Sequence, residues 1–363
     1  MTTIAPEAAV TIADERKIPN YRQQLKKALP AEVFQPHYGF LAWFPVHMAT
    51  IGLGWYLLAN HFSFWAAPFI TIVVGHAMAC MGFLSHDVLH GGTVKKLFWR
   101  DLVGGFGFSP LWIAPSLWRK WHNAEHHGHT QVEGVDPDHL FTMEHYEKNP
   151  VLQFLYKIHP FLRNIIIFSS FTYRMQQQTL RMLFTYLLSG KTKTRDKVIM
   201  TTQTIVAIGG WVALSLAFGT QVLIWGYLLP IFVANTVVIA YIATNHFLNP
   251  LADESDVLAS SLTVTLPKWL GWLDVLHNYF GAHVAHHLFP QIAPKHARMV
   301  EKKAAELFPE QYQAMPWGTA LKLLWQTPWV YENKKMLVDP VRDEHVPTLG
   351  SGLEKRVKKR HTN

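Results

Sequence analysis

The chain has 363 residues, 49% of them hydrophobic, 13% aromatic and only 16% charged, with a formal net charge of +8. A soluble protein usually carries about 25% charged residues, so the composition argues against an ordinary water-soluble globule. The single cysteine, Cys80, excludes an intrachain disulfide and a cysteine-rich metal or iron–sulfur site.

Residues 1–38 read as a polar, cytoplasmic lead-in with a short helix near "ERKIPNYRQQLKKAL". Residues 39–84 then contain no Lys, Arg, Asp or Glu. A membrane-crossing helix needs ~20 apolar residues, so this block is long enough for two spans, at about 39–58 and 64–84, turning at "LANHFS". Next, "GGTVKKLFWRDLVGGFGFSPLWIAPS" is too broken and too charged to cross. It reads as a helix lying in the membrane interface, with Trp99, Trp112 and Trp118 at headgroup depth. Residues 150–190 are amphipathic and interrupted by "HP", as expected of interfacial or cytoplasmic helices or of a short third hairpin.

A second uncharged block, 198–243, predicts spans at about 198–217 and 222–243 around the turn "FGTQ". Two pairs of buried helices in a large soluble protein are the competing reading. Soluble helices rarely stay uncharged over two successive lengths, because one face normally meets water. The basic residues set the orientation: five Lys/Arg lie in 1–38, fourteen in 85–197, fourteen in 244–363 and none in either turn. By the positive-inside rule, the N-terminus, the middle segment and the C-terminal segment face the cytoplasm. The expected architecture is an all-α, multi-pass integral membrane protein. Its four transmembrane helices form two hairpins under a cytoplasmic helical cap. Residues 39–338 make one domain, and 339–363, ending in "EKRVKKRHTN", are expected to be a disordered basic tail. The net charge is accounted for by topology and tail, without nucleic-acid binding.

The 21 histidines are clustered. "HDVLH" supplies His86 and His90, "HNAEHH" supplies His122, His126 and His127, and "HVAHH" supplies His283, His286 and His287. Three or four residues make about one helical turn, so each set shares a face. The predicted topology returns all three sets to the same side of the membrane. Imidazole suits zinc, copper, iron and nickel. A catalytic zinc needs about three protein ligands, so eight clustered histidines point to two metals. No HExxH is present, and only Asp87 and Glu125 interrupt the sets. The donor set is therefore richer in nitrogen than in carboxylate di-iron bundles.

The three boxes, HxxxH, HxxxHH and HxxHH, in this order and topology, resemble those of the membrane fatty acid desaturase family. "HVAHHLFPQIAPKHA" is similar to the third box of methyl-end acyl-lipid desaturases, and "WRKWHNAEHHGHT" with "GVDPD" resembles the second-box region. The likeness covers roughly residues 40–330. It implies a mushroom-like fold, a di-iron centre and dioxygen as co-substrate. It also implies a further ligand at the end of the fourth span, where "IATNHF" places His246. The full expected ligand set is His86, His90, His122, His126, His127, His246, His283, His286 and His287. The second box departs from the commoner HxxHH by one residue, and His129 is extra. His129, Asp136 and Asp138 are expected around the ligands, although "DPD" is equally a turn with an aspartate cap. His76 reads as a helix–helix hydrogen bonder, and His139, His277 and His296 as residues of the cap or of the ligands' surroundings.

The implied reaction is desaturation of a lipid-linked fatty acyl chain. The chain lacks a cytochrome-b5-like "HPGG" segment, so electrons would come from a separate donor, ferredoxin or cytochrome b5. Two alternatives stay open: a hydroxylase or carotenoid ketolase on the same scaffold, and a non-catalytic metal-binding or transport protein. The latter would place ionisable residues along a path through the spans, where only His47 and His76 are found.

Overall fold

A computed structural model describes residues 20–254 and 256–354; the first nineteen residues and the basic end from 355 lie outside it. Four helices are long and apolar enough to cross a membrane: Gly39–Asn60, Ala67–Leu89, Thr194–Ala217 and Thr220–His246, spans one to four below. Pro68 starts span two, where a missing N–H costs nothing. Gly219, at φ +117°, makes the tight turn before span four in a conformation that L side chains avoid. Span two runs past 84 to Leu89 and span four past 243 to His246. The first charged residue is thus not where span two ends: Asp87 is held by neighbours and carried on the helix.

Spans two and four are in close contact. A Cβ on Gly75 would lie 2.6 Å from both the Pro230 carbonyl oxygen and Val233 Cβ, so only glycine permits this approach. Span four contains a π-helical turn, Ile224–Leu228. Two carbonyls in that turn find side-chain donors: Trp225 O accepts from Thr71 Oγ1 at 2.7 Å, and Gly226 O from Trp55 Nε1 at 2.8 Å. Side chains thus support an irregular backbone where no water is available. Leu53, Phe69, Ile72, Ile205, Val206 and Leu214 are exposed, as a lipid-facing surface requires.

The remaining elements gather around the ends of spans two and four. Helix Leu97–Phe108, read from the sequence as interfacial, exposes Leu97, Phe98, Trp99, Leu102 and Phe106. Trp118 corrects it: the indole is buried and stacks on His122 at 4.4 Å between ring centroids. Trp112 is half-buried, its Nε1 donating to Tyr227 Oη at 3.0 Å. Segment 150–190 forms helices Pro150–Lys157, Pro160–Ser169 and Arg174–Leu188, broken at "HP" because Pro160 opens the second of them.

The all-α expectation misses a four-stranded sheet. Its strands, in spatial order, are Phe141–Thr142, Val330–Asn333, Met336–Asp339 and Glu344–Pro347. The first pair is parallel and the others antiparallel. The expected disordered tail from 339 is therefore folded as far as 354. Asp339 is buried and accepts from Arg163 Nη1 at 2.5 Å, while Leu337 and Val346 are fully buried.

Candidate metal centre

His86 sits on the last turn of span two, and His90 caps that helix. His246 is the last residue of span four. His283, His286 and His287 lie on the short helix His283–Leu288. These elements converge. One ring nitrogen from each of His86, His90, His122, His127 and His286 lies within 4.8 Å of all the others, and His126, His246 and His287 form a second such group. His283 joins the second group, its Nε2 2.7 Å from His246 Nε2 and 3.1 Å from His287 Nε2. All nine sequence-predicted histidines are thus brought together, five in one group and four in the other. The groups adjoin: His122 stacks on His126 at 5.1 Å and His127 on His287 at 4.3 Å.

The departure in the second box has a structural answer. Arg119–His126 is a π-helix, closed by His127 N–H donating to the His122 carbonyl at 2.9 Å. An α-helix turns about 100° per residue, and a π-helix with its i→i+5 bonds about 80°. Offsets of four and five residues on the wider helix therefore share the face that offsets of three and four share on an α-helix. The extra residue in HxxxHH is absorbed as a wider turn.

The outer nitrogens show which way the rings are protonated. His246 Nδ1 donates to the Ser260 carbonyl at 3.1 Å, and a carbonyl can only accept. His126 Nδ1 donates to Asp136 Oδ1 at 2.9 Å and His86 Nδ1 to Asp87 Oδ1 at 3.0 Å. Thr130 gives its hydroxyl proton to the His126 carbonyl at 2.8 Å, so its oxygen accepts from His287 Nδ1 at 3.3 Å. With Nδ1 carrying the proton, His86, His246 and His287 turn bare Nε2 lone pairs inward. His283 Nε2 faces two of these and can donate to only one. In the first group, Nε2 of His122 faces His86 and His127 at 3.1 Å each, and Nε2 of His127 also faces His286 at 3.1 Å. There are more buried lone pairs than protons to fill them, which is the donor set a cation needs.

Electrostatics point the same way. Burial first, and then the neighbouring imidazoles, hold the pKa of His90, His122, His127, His283, His286 and His287 well below the ordinary histidine value. The neutral form is the metal-binding one. His126 is the exception: burial pulls it down, but the Asp136 carboxylate and its hydrogen bond outweigh this and raise it.

Asp136 does both things expected of "DPD". It takes the His126 proton donor, and its Oδ1 also accepts from the Asp138 backbone N–H at 2.9 Å, an aspartate-capped turn. Asp138 Oδ2 is 3.6 Å from His126 Nδ1, and burial raises its pKa. His129 departs from expectation: it is exposed, stands outside both groups and makes no hydrogen bond to their side chains among the described residues. His139 and His296 also stand apart, and His277 pairs with His76 at 2.9 Å instead of with the cluster. Sequence reasoning gave no role to Asp87, Thr130, Ser260 or Asn278, which donates to Asp87. Only Asp87 carried a signal, as a charge beside His86 at the end of an uncharged run.

A narrow cavity of about 80 Å³ opens against both groups, touching His86 and His122 of one and His126, His246 and His283 of the other. Away from the histidines its wall is apolar, formed by Gly82, Phe83, Met175, Val238 and Ile239. Asp138, Arg174 and Gln178 add a polar stretch, with Gln178 donating to Asp138 at 3.0 Å. An apolar wall beside neutral imidazoles suits an apolar group better than a charged one.

Comparison with known proteins agrees with this geometry. The profile of the family described as fatty acid desaturase matches residues 63–319, a region holding all nine histidines. An sn-1 acyl-lipid omega-3 desaturase (ferredoxin) of a Synechocystis strain is 23% identical over 337 residues, covering 88% of this chain and 91% of that protein. An omega-6 fatty acid desaturase of Glycine max, an endoplasmic reticulum isozyme, is 24% identical over 323 residues, 80% of each chain. A delta(8)-fatty-acid desaturase of Euglena gracilis is 30% identical over 140 residues, 37% of this chain and 31% of that protein. With four apolar helices, two histidine groups and a family match over most of its length, this oxidoreductase belongs to the fatty acid desaturase family.

Proposed function

We propose that the chain introduces a double bond into the acyl chain of a membrane lipid at a di-iron site. The nine histidines His86, His90, His122, His126, His127, His246, His283, His286 and His287 would be the ligands. The observation that carries this reading is the meeting of an apolar cavity with two groups of inward-facing imidazoles. Two bound irons, with dioxygen as co-substrate, supply the oxidising chemistry that acid–base side chains cannot.

The protein's own residues do the rest. Asp87, Asp136, Thr130 and the Ser260 carbonyl fix the ring orientation and tautomer of four histidines. Phe83, Val238 and Ile239 line the acyl path and set which methylene pair stands beside the imidazoles; such positioning decides the bond oxidised. Arg174 and Gln178 meet the polar part of the substrate. Trp118, Phe280 and Leu111 keep water from the reacting carbons.

In the membrane, the four spans would form two hairpins, with the histidines, both termini and the elements between the spans on the cytoplasmic side; the distribution of basic residues supports this orientation. Electrons come from a separate protein. The ferredoxin in the name of the Synechocystis relative supports that class of donor.

Fatty acid profiling of a host expressing the chain, with His286→Ala as control, tests the reading. A new double bond is expected with the native chain and none with the variant. A hydroxy or keto product would overturn desaturation, and an unchanged product with His286→Ala would overturn the ligand assignment.

A further inference from the structure

Outside the nine histidines, a second kind of donor cluster lies between span two and the segment that follows Gly271. His76 and Cys80 stand four residues apart on span two, and His277 reaches them from the segment. One donor atom from each lies within 4.8 Å of the other two. His76 Nε2 is 2.9 Å from His277 Nε2, within the 2.7 to 3.1 Å range of the ring-nitrogen pairs in the main cluster. Cys80 Sγ is 3.9 Å from both ring nitrogens of His76. With metal bonds of ~2.0 Å to nitrogen and ~2.3 Å to sulfur, a trigonal ion separates N and S by about 3.7 Å and the two nitrogens by about 3.5 Å, so the two rings would part by about half an ångström on binding.

The surroundings favour a ligand over a plain hydrogen bond. Tyr241 Oη lies 3.0 Å from His277 Nδ1, which occupies the outer nitrogen and leaves Nε2 for the cluster. A single N–H between the two Nε2 atoms would leave the second nitrogen of His76 with only a thiol at 3.9 Å. Cys80 is fully buried and His277 is 4% exposed. His47 is itself 95% buried, and its Nε2 has no hydrogen-bond partner among the described residues.

We propose that His76, Cys80 and His277 form a third metal site, separate from the nine histidines, for a soft monovalent ion, copper(I). Imidazole with thiolate selects copper or zinc, and a two-histidine, one-cysteine trigonal set suits copper. Charge decides between them. One thiolate neutralises a monovalent ion but leaves a divalent one charged beside a membrane span, where net charge is expensive. The site is also insulated from the main centre by Phe83 and Phe280, whose rings lie between His277 and His86. A bound ion would fasten the segment after Gly271 to span two.

The test uses the full chain in detergent, loaded with iron and exposed to copper(I) alone without oxygen, then desalted. Wild type is expected to retain about one copper per chain with a sulfur neighbour in X-ray absorption, at unchanged iron content. Cys80→Ser, nearly the same size, and His277→Ala should weaken retention about tenfold or more, with iron still bound as proof of folding. Equal copper retention in wild type and Cys80→Ser would overturn the site, as would retained copper with nitrogen neighbours only. Zinc(II) held by the same three side chains in preference to copper(I) would overturn the choice of ion.

Discussion

An imidazole serves a metal only while its inward nitrogen is bare, so the group on the outward nitrogen matters nearly as much as the ring. At His126 that group is Asp136, buried and also bonded by the backbone N–H groups of Gln131 and Asp138. Asp136→Ala removes the acceptor and leaves the tautomer unfixed. Metal affinity is expected to fall about 10- to 100-fold, measured as iron retained against a chelator. The nine histidines were legible because their spacing repeats the helical turn. Their outer partners were not, because a threonine hydroxyl or a serine carbonyl has no pattern that singles it out. Glu301 is a different residue-scale case. Burial raises its pKa to about 7, although Arg298 at 2.9 Å and the Thr263 hydroxyl at 2.5 Å oppose the rise. The folded state therefore binds a proton more tightly than the unfolded chain. The stabilisation from this group is full below about 4.5 and is lost as pH rises through about 7. Thermal unfolding should show Glu301→Gln gaining on wild type across that window and tracking it in slope outside.

At the scale of elements, the π-helix at Arg119–His126 makes a sharp prediction. If it exists to absorb one residue, deleting the exposed Ala124 should let the segment close as an α-helix with HxxHH spacing. Iron content is then expected to stay near wild type, whereas inserting one alanine at the same place should abolish it. Loss of iron from the deletion would mean that the wide turn itself is needed. Charge and hydropathy located the spans, because a membrane helix must be long and uncharged to exist at all. They misplaced the inner ends, since Asp87, His86 and His246 are polar and yet lie on the helices, satisfied by partners distant in sequence. The sheet escaped notice for a similar reason. "MLVD" and "EHVP" are too short to show periodicity, and what orders them is the buried pair of Asp339 with Arg163, far away along the chain. Breaking such a pair typically costs about 3–5 kcal/mol, so the segment expected to be a loose tail is a structural part of the domain.

For the whole molecule, the proposed function depends on a cavity that no single element encloses. Span two contributes Gly82 and Phe83, span four Val238 and Ile239, and the helix Arg174–Leu188 its first two residues, Arg174 and Met175. A bulkier wall should shorten what fits without disturbing the histidines. Val238→Phe is expected to shift the product profile toward shorter acyl chains, or to move the double bond, at unchanged iron content, read by chromatography of lipids from an expressing host. An unchanged profile would place the acyl path elsewhere.

The division of the nine histidines also bears on how the protein is made. The group of five needs His286, and the group of four needs His283 and His287. Neither is complete until the ribosome has delivered the last box, when spans one to four are already synthesised. Arg22, on the helix before span one, then donates to the carbonyls of His287 and Leu288 at 3.0 and 2.8 Å, joining a segment made before the spans to one made after them. A nascent chain that stops short of residue 286 therefore carries imidazoles but neither complete group.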